Sequence, residues 1–212
     1  MRTLISRILV AGVLAAPIMA NAVVYQFNAT LNGANEVPTS SGSTATGIAT
    51  LSYDTFGTLS LADDKYSFSM SVFGLTGGAV FGTAATGFHI HGAATTAENG
   101  PVRVFLDAAP FVSLNSGGTL LVGGSGISAP VLIGATGVTG LNAGHPAMSF
   151  LDMLQGGLAY VNVHTALNPA GAVRGQLMQV AVIPEPETYA LLLAGLGLVG
   201  GAVARRRSKS AA

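Results

Sequence analysis

The chain has 212 residues, and 8% of them are charged, against the roughly 25% usual in a soluble domain. Nine basic residues balance nine acidic ones, and there is no cysteine. This composition excludes a charge-rich disordered chain, a coiled coil, disulfides, thiolate metal sites and cysteine nucleophiles, and the neutral balance argues against a nucleic-acid partner.

The N-terminus carries Arg2 and Arg7, then an apolar run from Ile8 to Ala16, then Pro17 and the small-residue pattern Ala20-Asn21-Ala22. That order predicts a secretory signal peptide over residues 1–22, its apolar run too short for a membrane span. Period-2 alternation follows. Val23, Tyr25, Phe27, Ala29 and Leu31 define one face of a first strand. Ala45 to Tyr53 and Tyr66 to Val72 repeat the pattern, and Val102, Val104 and Leu106 share a face. Leu158, Tyr160, Asn162 and His164 line one face of a late strand, and Ala159, Val161 and Val163 the other. Asn32-Gly33, Gly77-Gly78, Asn99-Gly100-Pro101, Gly117-Gly118 and Asn168-Pro169 punctuate these runs as turns. Ser149 reads as the cap of a short crossover helix, Phe150 to Gln155, ended by Gly156-Gly157. The uncharged stretch from Gly117 to Gly144 holds either two edge strands or a long ordered loop.

The expected fold is therefore one all-β domain over residues 23–182, an antiparallel Greek-key β-sandwich with one short helix, flanked by N- and C-terminal hydrophobic helices. This middle region holds three basic and seven acidic residues, a net charge near −4, which suits a soluble extracellular module.

Residues 183–212 begin Ile183-Pro184-Glu185-Pro186-Glu187, continue with an apolar stretch from Thr188 to Ala204, and close on Arg205, Arg206, Arg207 and Lys209. As a helix, 188–204 would span about 25 Å, slightly short of a ~30 Å hydrocarbon core, with its basic end held cytoplasmic. The order Pro-Glu-Pro, apolar helix, Arg cluster resembles the PEP-CTERM sorting signal of Gram-negative bacteria. The resemblance implies export and recognition by exosortase-type sorting machinery. It also implies transient anchoring in the inner membrane through the helix.

The most informative segment for chemistry is Phe88-His89-Ile90-His91-Gly92. On a strand, His89 and His91 point to the same side, about 7 Å apart at Cα, a spacing that can chelate one cation. His164, in Tyr160-Val161-Asn162-Val163-His164, is the natural third ligand, and His145 in a loop is a possible fourth. Imidazole donors suit copper or zinc. The plain alternative is a hydrogen-bonded structural pair. Arg174 stands nearly alone as a cation in the domain and so needs a fixed partner; Glu36, Asp107 and backbone carbonyls are the candidates, and Glu36 and Arg174 read together as a structural clamp. There is no Gly-x-Ser-x-Gly elbow, P-loop or His-Glu-x-x-His, and no carboxylate pair can be named.

Leu31-Asn32-Gly33-Ala34-Asn35-Glu36-Val37-Pro38, Gly47-Ile48-Ala49-Thr50-Leu51, His89-Ile90-His91-Gly92 with Gly100-Pro101-Val102, and Tyr160 to Leu177 together resemble the CHRD (chordin) domain family, in order and over nearly the whole middle region. The family is best known from chordin, an extracellular antagonist of bone morphogenetic proteins. The resemblance therefore implies an extracellular domain and not an activity. Gly87-Phe88-His89-Ile90-His91 and Val161-Asn162-Val163-His164 are also similar to the copper-binding strands of Cu/Zn superoxide dismutases, though without the cysteines. The function expected is a non-enzymatic binding or structural role in the envelope or extracellular matrix, with polysaccharide as a partner. The alternative is a copper- or zinc-binding protein using His89, His91 and His164, with dismutase-like oxidoreductase activity as its extension.

Overall fold

The computed structural model of the protein describes residues 22–37, 40–81, 87–130, 148–184 and 192–201. The strands form where the alternation is strongest. β1 (Val23–Asn32), β2 (Thr46–Asp54) and β3 (Lys65–Phe73) pair antiparallel in an unbroken register from Val24↔Asp54 to Asn32↔Thr46 and from Thr46↔Phe73 to Asp54↔Lys65. One face of this meander carries Phe27, Leu31, Leu51, Phe68 and Val72, all buried. The opposite face carries Thr, Ser and Asn, as a sheet with one wet face requires.

β4 (Phe88–His91), β5 (Val102–Phe105), β6 (Val112–Ser116), β7 (Thr119–Ser128), β8 (Tyr160–Val163), β9 (Val173–Gln176) and β10 (Met178–Pro184) complete the described strands. Their order is β5-β4-β8-β9-β1-β2-β3-β7-β6, with β10 also on β1. The expected sandwich of two separate sheets is corrected here: the ten strands form one antiparallel sheet curled as a half-barrel. The physical reason lies at β1. Its Val23–Asn28 half pairs with β10, while Asn32 pairs with Arg174 of β9. The chain breaks at buried Leu177 between β9 and β10, so one strand leaves β8 and continues onto β1. Both leaves thus hang from β1 and close over a shared core.

Gly117 and Gly118, both at positive φ, make the two-residue turn between β6 and β7. β7 sits inside the sheet between β3 and β6, so of the stretch from Gly117 to Gly144 the first part is a paired strand, and residues 131–147, His145 included, lie outside the described residues. The short helix is where it was expected. α1 (Phe150–Gln155) is capped by Ser149, whose Oγ accepts from the Asp152 amide at 2.9 Å. Phe150 packs edge-on to Tyr66 at 5.3 Å and tilted to Tyr53 at 6.2 Å, closing one end of the core.

The expected signal peptide lies, up to residue 21, outside the described residues. Of the expected helix 188–204, residues 192–201 are helical and exposed. Among the described residues no helix is long and apolar enough to cross a membrane.

Candidate metal centre

Three adjacent strands build the site through their register. His89 faces Asn162 across β4–β8, and Asn162 faces Arg174 across β8–β9; the next row is His91, Tyr160 and Gln176. Because side chains alternate, all six point to one side of the sheet, and His164 follows two residues after Asn162 on the same side. Phe88, Ile90, Val161, Val163 and Val173 point the other way, into the core. β4 and β8 are therefore buried on both faces, one against the core and one as a polar layer roofed by loops.

Within that layer one ring nitrogen from each of His89, His91 and His164 lies within 4.8 Å of the others. The three side chains are 0%, 7% and 5% exposed. An ion bound at the usual 2.0–2.1 Å needs nitrogens about 3.5 Å apart, so the rings would close by roughly 1 Å at the widest separation.

The chemistry of the donors follows from their hydrogen bonds. His91 Nδ1 lies 2.9 Å from the Gly100 carbonyl, and His164 Nδ1 lies 2.9 Å from the Pro169 carbonyl. A carbonyl oxygen can only accept, so in each ring Nδ1 carries the proton and donates it. In the neutral ring Nε2 then bears a lone pair. Both Nε2 atoms are buried and have no hydrogen-bond partner among the described residues. Burial pushes the His91 imidazole down to about 3 and lowers His164 below its ordinary value, so both stay neutral near pH 7. Neutral, buried, tautomer-fixed imidazoles are the form in which histidine ligates a metal.

Comparison with known families matches residues 27–177 to the CHRD domain. The chain belongs to the CHRD domain family. A second match covers residues 182–207, the PEP-CTERM protein-sorting motif, which implies exosortase processing and an exported, surface-anchored protein. No curated protein and no solved structure matches the chain, so the likeness to superoxide dismutases gains no support from either comparison.

The turns of the CHRD domain take their places around the histidines. Tyr160 stacks on His91, ring centroids 4.8 Å apart, and the Arg174 guanidinium lies 3.6 Å above the same phenol. Of the partners weighed for Arg174, the backbone carbonyls are the ones it bonds. Its Nη2 donates to the Thr95 and Glu98 carbonyls at 2.8 Å each, and Nη1 donates to Asn99 Oδ1 at 3.0 Å. Glu36 sits nearby instead as a buried carboxyl that accepts from Asn162 Nδ2 at 3.3 Å. Burial raises its pKa to about 7, only partly offset by the Arg174 charge and the Asn162 hydrogen bond.

The sequence reading missed Tyr160, Asn162 and Gly87 as parts of this site. Tyr160 and Asn162 carried a signal, since they share a face with His164 at period two. Gly87 stood out only as the first residue of the segment similar to the dismutase copper strand. A Cβ there would lie 2.5 Å from Asp107 Oδ2 and 2.9 Å from His89 Nε2, so only glycine lets those groups approach.

Proposed function

We propose that this CHRD protein is an exported surface protein that binds one copper or zinc ion through His89, His91 and His164, in a binding or structural role and not a catalytic one. The observation that carries the reading is that His91 and His164 each keep a buried Nε2 lone pair, in a layer where one ring nitrogen from each of His89, His91 and His164 lies within 4.8 Å of the others. An unpaired buried acceptor costs about 1–3 kcal/mol, and two in one layer are costly unless something is held there. Three imidazoles and no thiolate suit copper or zinc over calcium or magnesium. The depth of the site favours holding an ion over turning over a substrate, because a reactant would have to pass the loops that roof it.

The test is metal stoichiometry and affinity of the purified chain for Zn(II) and Cu(II), beside a His89→Ala/His91→Ala/His164→Ala variant. One ion per chain, lost in the variant, is the expected result. Equal binding by both, or by neither, would make the histidines structural and direct the search to matrix polysaccharide.

A further inference from the structure

The segment from Thr95 to Gly100 roofs the polar layer and reaches His91 through Gly100. That carbonyl fixes His91 Nδ1 at 2.9 Å. The Tyr160 hydroxyl, beneath it, accepts from the Gly100 amide at 3.2 Å. The segment itself is held from below by Arg174, at three points: the carbonyls of Thr95 and Glu98 and the side chain of Asn99. Asn99 in turn donates from Nδ2 to the Val37 carbonyl at 2.9 Å, tying the roof to the turn that carries Glu36. Arg174 is 1% exposed and its guanidinium carbon lies 3.6 Å from the centroid of the Tyr160 ring, so burial and its three hydrogen bonds hold it in place. Its planar fork matches three acceptors at once, which a lysine ammonium on a flexible stem does not.

We propose that Arg174 is a positioning residue: by holding the Thr95–Gly100 roof it sets the tautomer and orientation of His91, and through His91 the affinity of the histidine site, without touching the ion. The affinity part rests on the metal-binding reading above; the effect on the His91 ring does not. His164 takes its carbonyl from Pro169, on a different loop, and is the internal control.

Ring-nitrogen NMR of the metal-free chain reads the tautomer directly, and zinc competition reads the affinity. In the natural chain His91 and His164 should each show a single Nδ1–H tautomer. In Arg174→Lys and Arg174→Gln, His91 should show mixed tautomers while His164 keeps its own, and zinc affinity should fall about 10- to 100-fold, the range for outer-sphere partners of ligating histidines. Asn99→Ala removes one of the three points and should move His91 the same way by less. It decides the matter should the Arg174 variants fail to fold. A His91 signal unchanged in a folded Arg174 variant, or in Asn99→Ala where those do not fold, overturns the inference. A natural chain that binds no zinc while its His91 tautomer depends on Arg174 overturns the metal reading and the affinity part, and leaves the positioning of His91 standing.

Discussion

The imidazole of His91 lies on the phenol of Tyr160 with centroids 4.8 Å apart and planes 10° from parallel. The two residues are register partners across β4 and β8, so the stack is a cross-strand pair. With Arg174 on the far face of the phenol, the order His91, Tyr160, Arg174 makes a three-layer stack whose ends differ in charge. A neutral imidazole tolerates that neighbour better than an imidazolium, and the Arg174 charge is one of the influences that lower the His91 pKa, after burial.

Two substitutions separate the ring of Tyr160 from its hydroxyl. Tyr160→Phe keeps both stacking faces and loses the contacts to Gly100, and should cost about 1 kcal/mol of stability. Tyr160→Leu removes the stack and the cation–π contact as well, and should cost roughly 2–4 kcal/mol. Urea unfolding of the metal-free chain measures both. Equal losses would mean that the ring contributes nothing beyond its hydroxyl.

Acid should unfold the metal-free chain through these histidines. The folded pKa of His91 lies at about 3, below the 6.5 of the unfolded chain, so between those values the unfolded state binds more protons. The stability from His91 is therefore complete above pH 6.5 and is lost as pH falls towards 3, by about 1.4 kcal/mol per pH unit. His164 shifts in the same direction and adds to the loss. His91→Gln removes one of the two. The difference in unfolding free energy between this variant and the natural chain should grow in the variant's favour as pH drops from 6.5 to 4. A constant difference would show that His91 already takes up its proton in the fold.

Gly87→Ala tests the close approach at the start of β4. Its new Cβ would enter the space between Asp107 and His89, at 2.5 and 2.9 Å, and the two side chains have to rearrange around it. The chain should remain folded, since the core face of β4 is untouched, while the affinity for zinc falls by tenfold or more. Unchanged zinc binding would show that the close approach at Gly87 does not position a ligand. Far-ultraviolet circular dichroism distinguishes loss of the site from loss of the fold.

The alternation of Phe27, Ala29 and Leu31, or of Tyr66, Phe68, Met70 and Val72, was legible because one face of β1 to β3 is wet. Period two then shows directly which residues are buried. The capped helix at Ser149 was legible for a similar reason, its signals being local. The joining of both leaves through β1 was not, because alternation assigns faces and says nothing about which edges pair. The polar layer of β4, β8 and β9 was only half legible. His89, His91 and His164 stand out by type and spacing, and Arg174 as a lone cation that needs a partner, but Tyr160, Asn162 and Gln176 read as an ordinary solvent face. Their burial depends on roofs brought from far along the chain: Glu36 reaches Asn162 across 126 residues, and Thr95 reaches Arg174 across 79.

Glu36 should oppose the histidines in its pH dependence. Its carboxyl is buried beside Asn162, and burial raises its pKa from 4.5 to about 7. Between those values the folded state binds the extra proton. The stability it contributes is thus present below pH 4.5 and is lost as pH rises through about 7, the reverse of His91. Glu36→Gln keeps the shape and an oxygen for the Asn162 amide, and has no charge to desolvate. Its unfolding free energy relative to the natural chain should therefore increase as pH rises from 4.5 to 7, by up to about 1.4 kcal/mol per unit. The Arg174 charge works against this, since removing the carboxylate also removes its attraction to the guanidinium. If burial dominates, the variant gains on the natural chain with rising pH in urea titrations at fixed salt. If the Arg174 attraction dominates, it falls behind, and Glu36 is then an ionised partner of Arg174 across the gap between them.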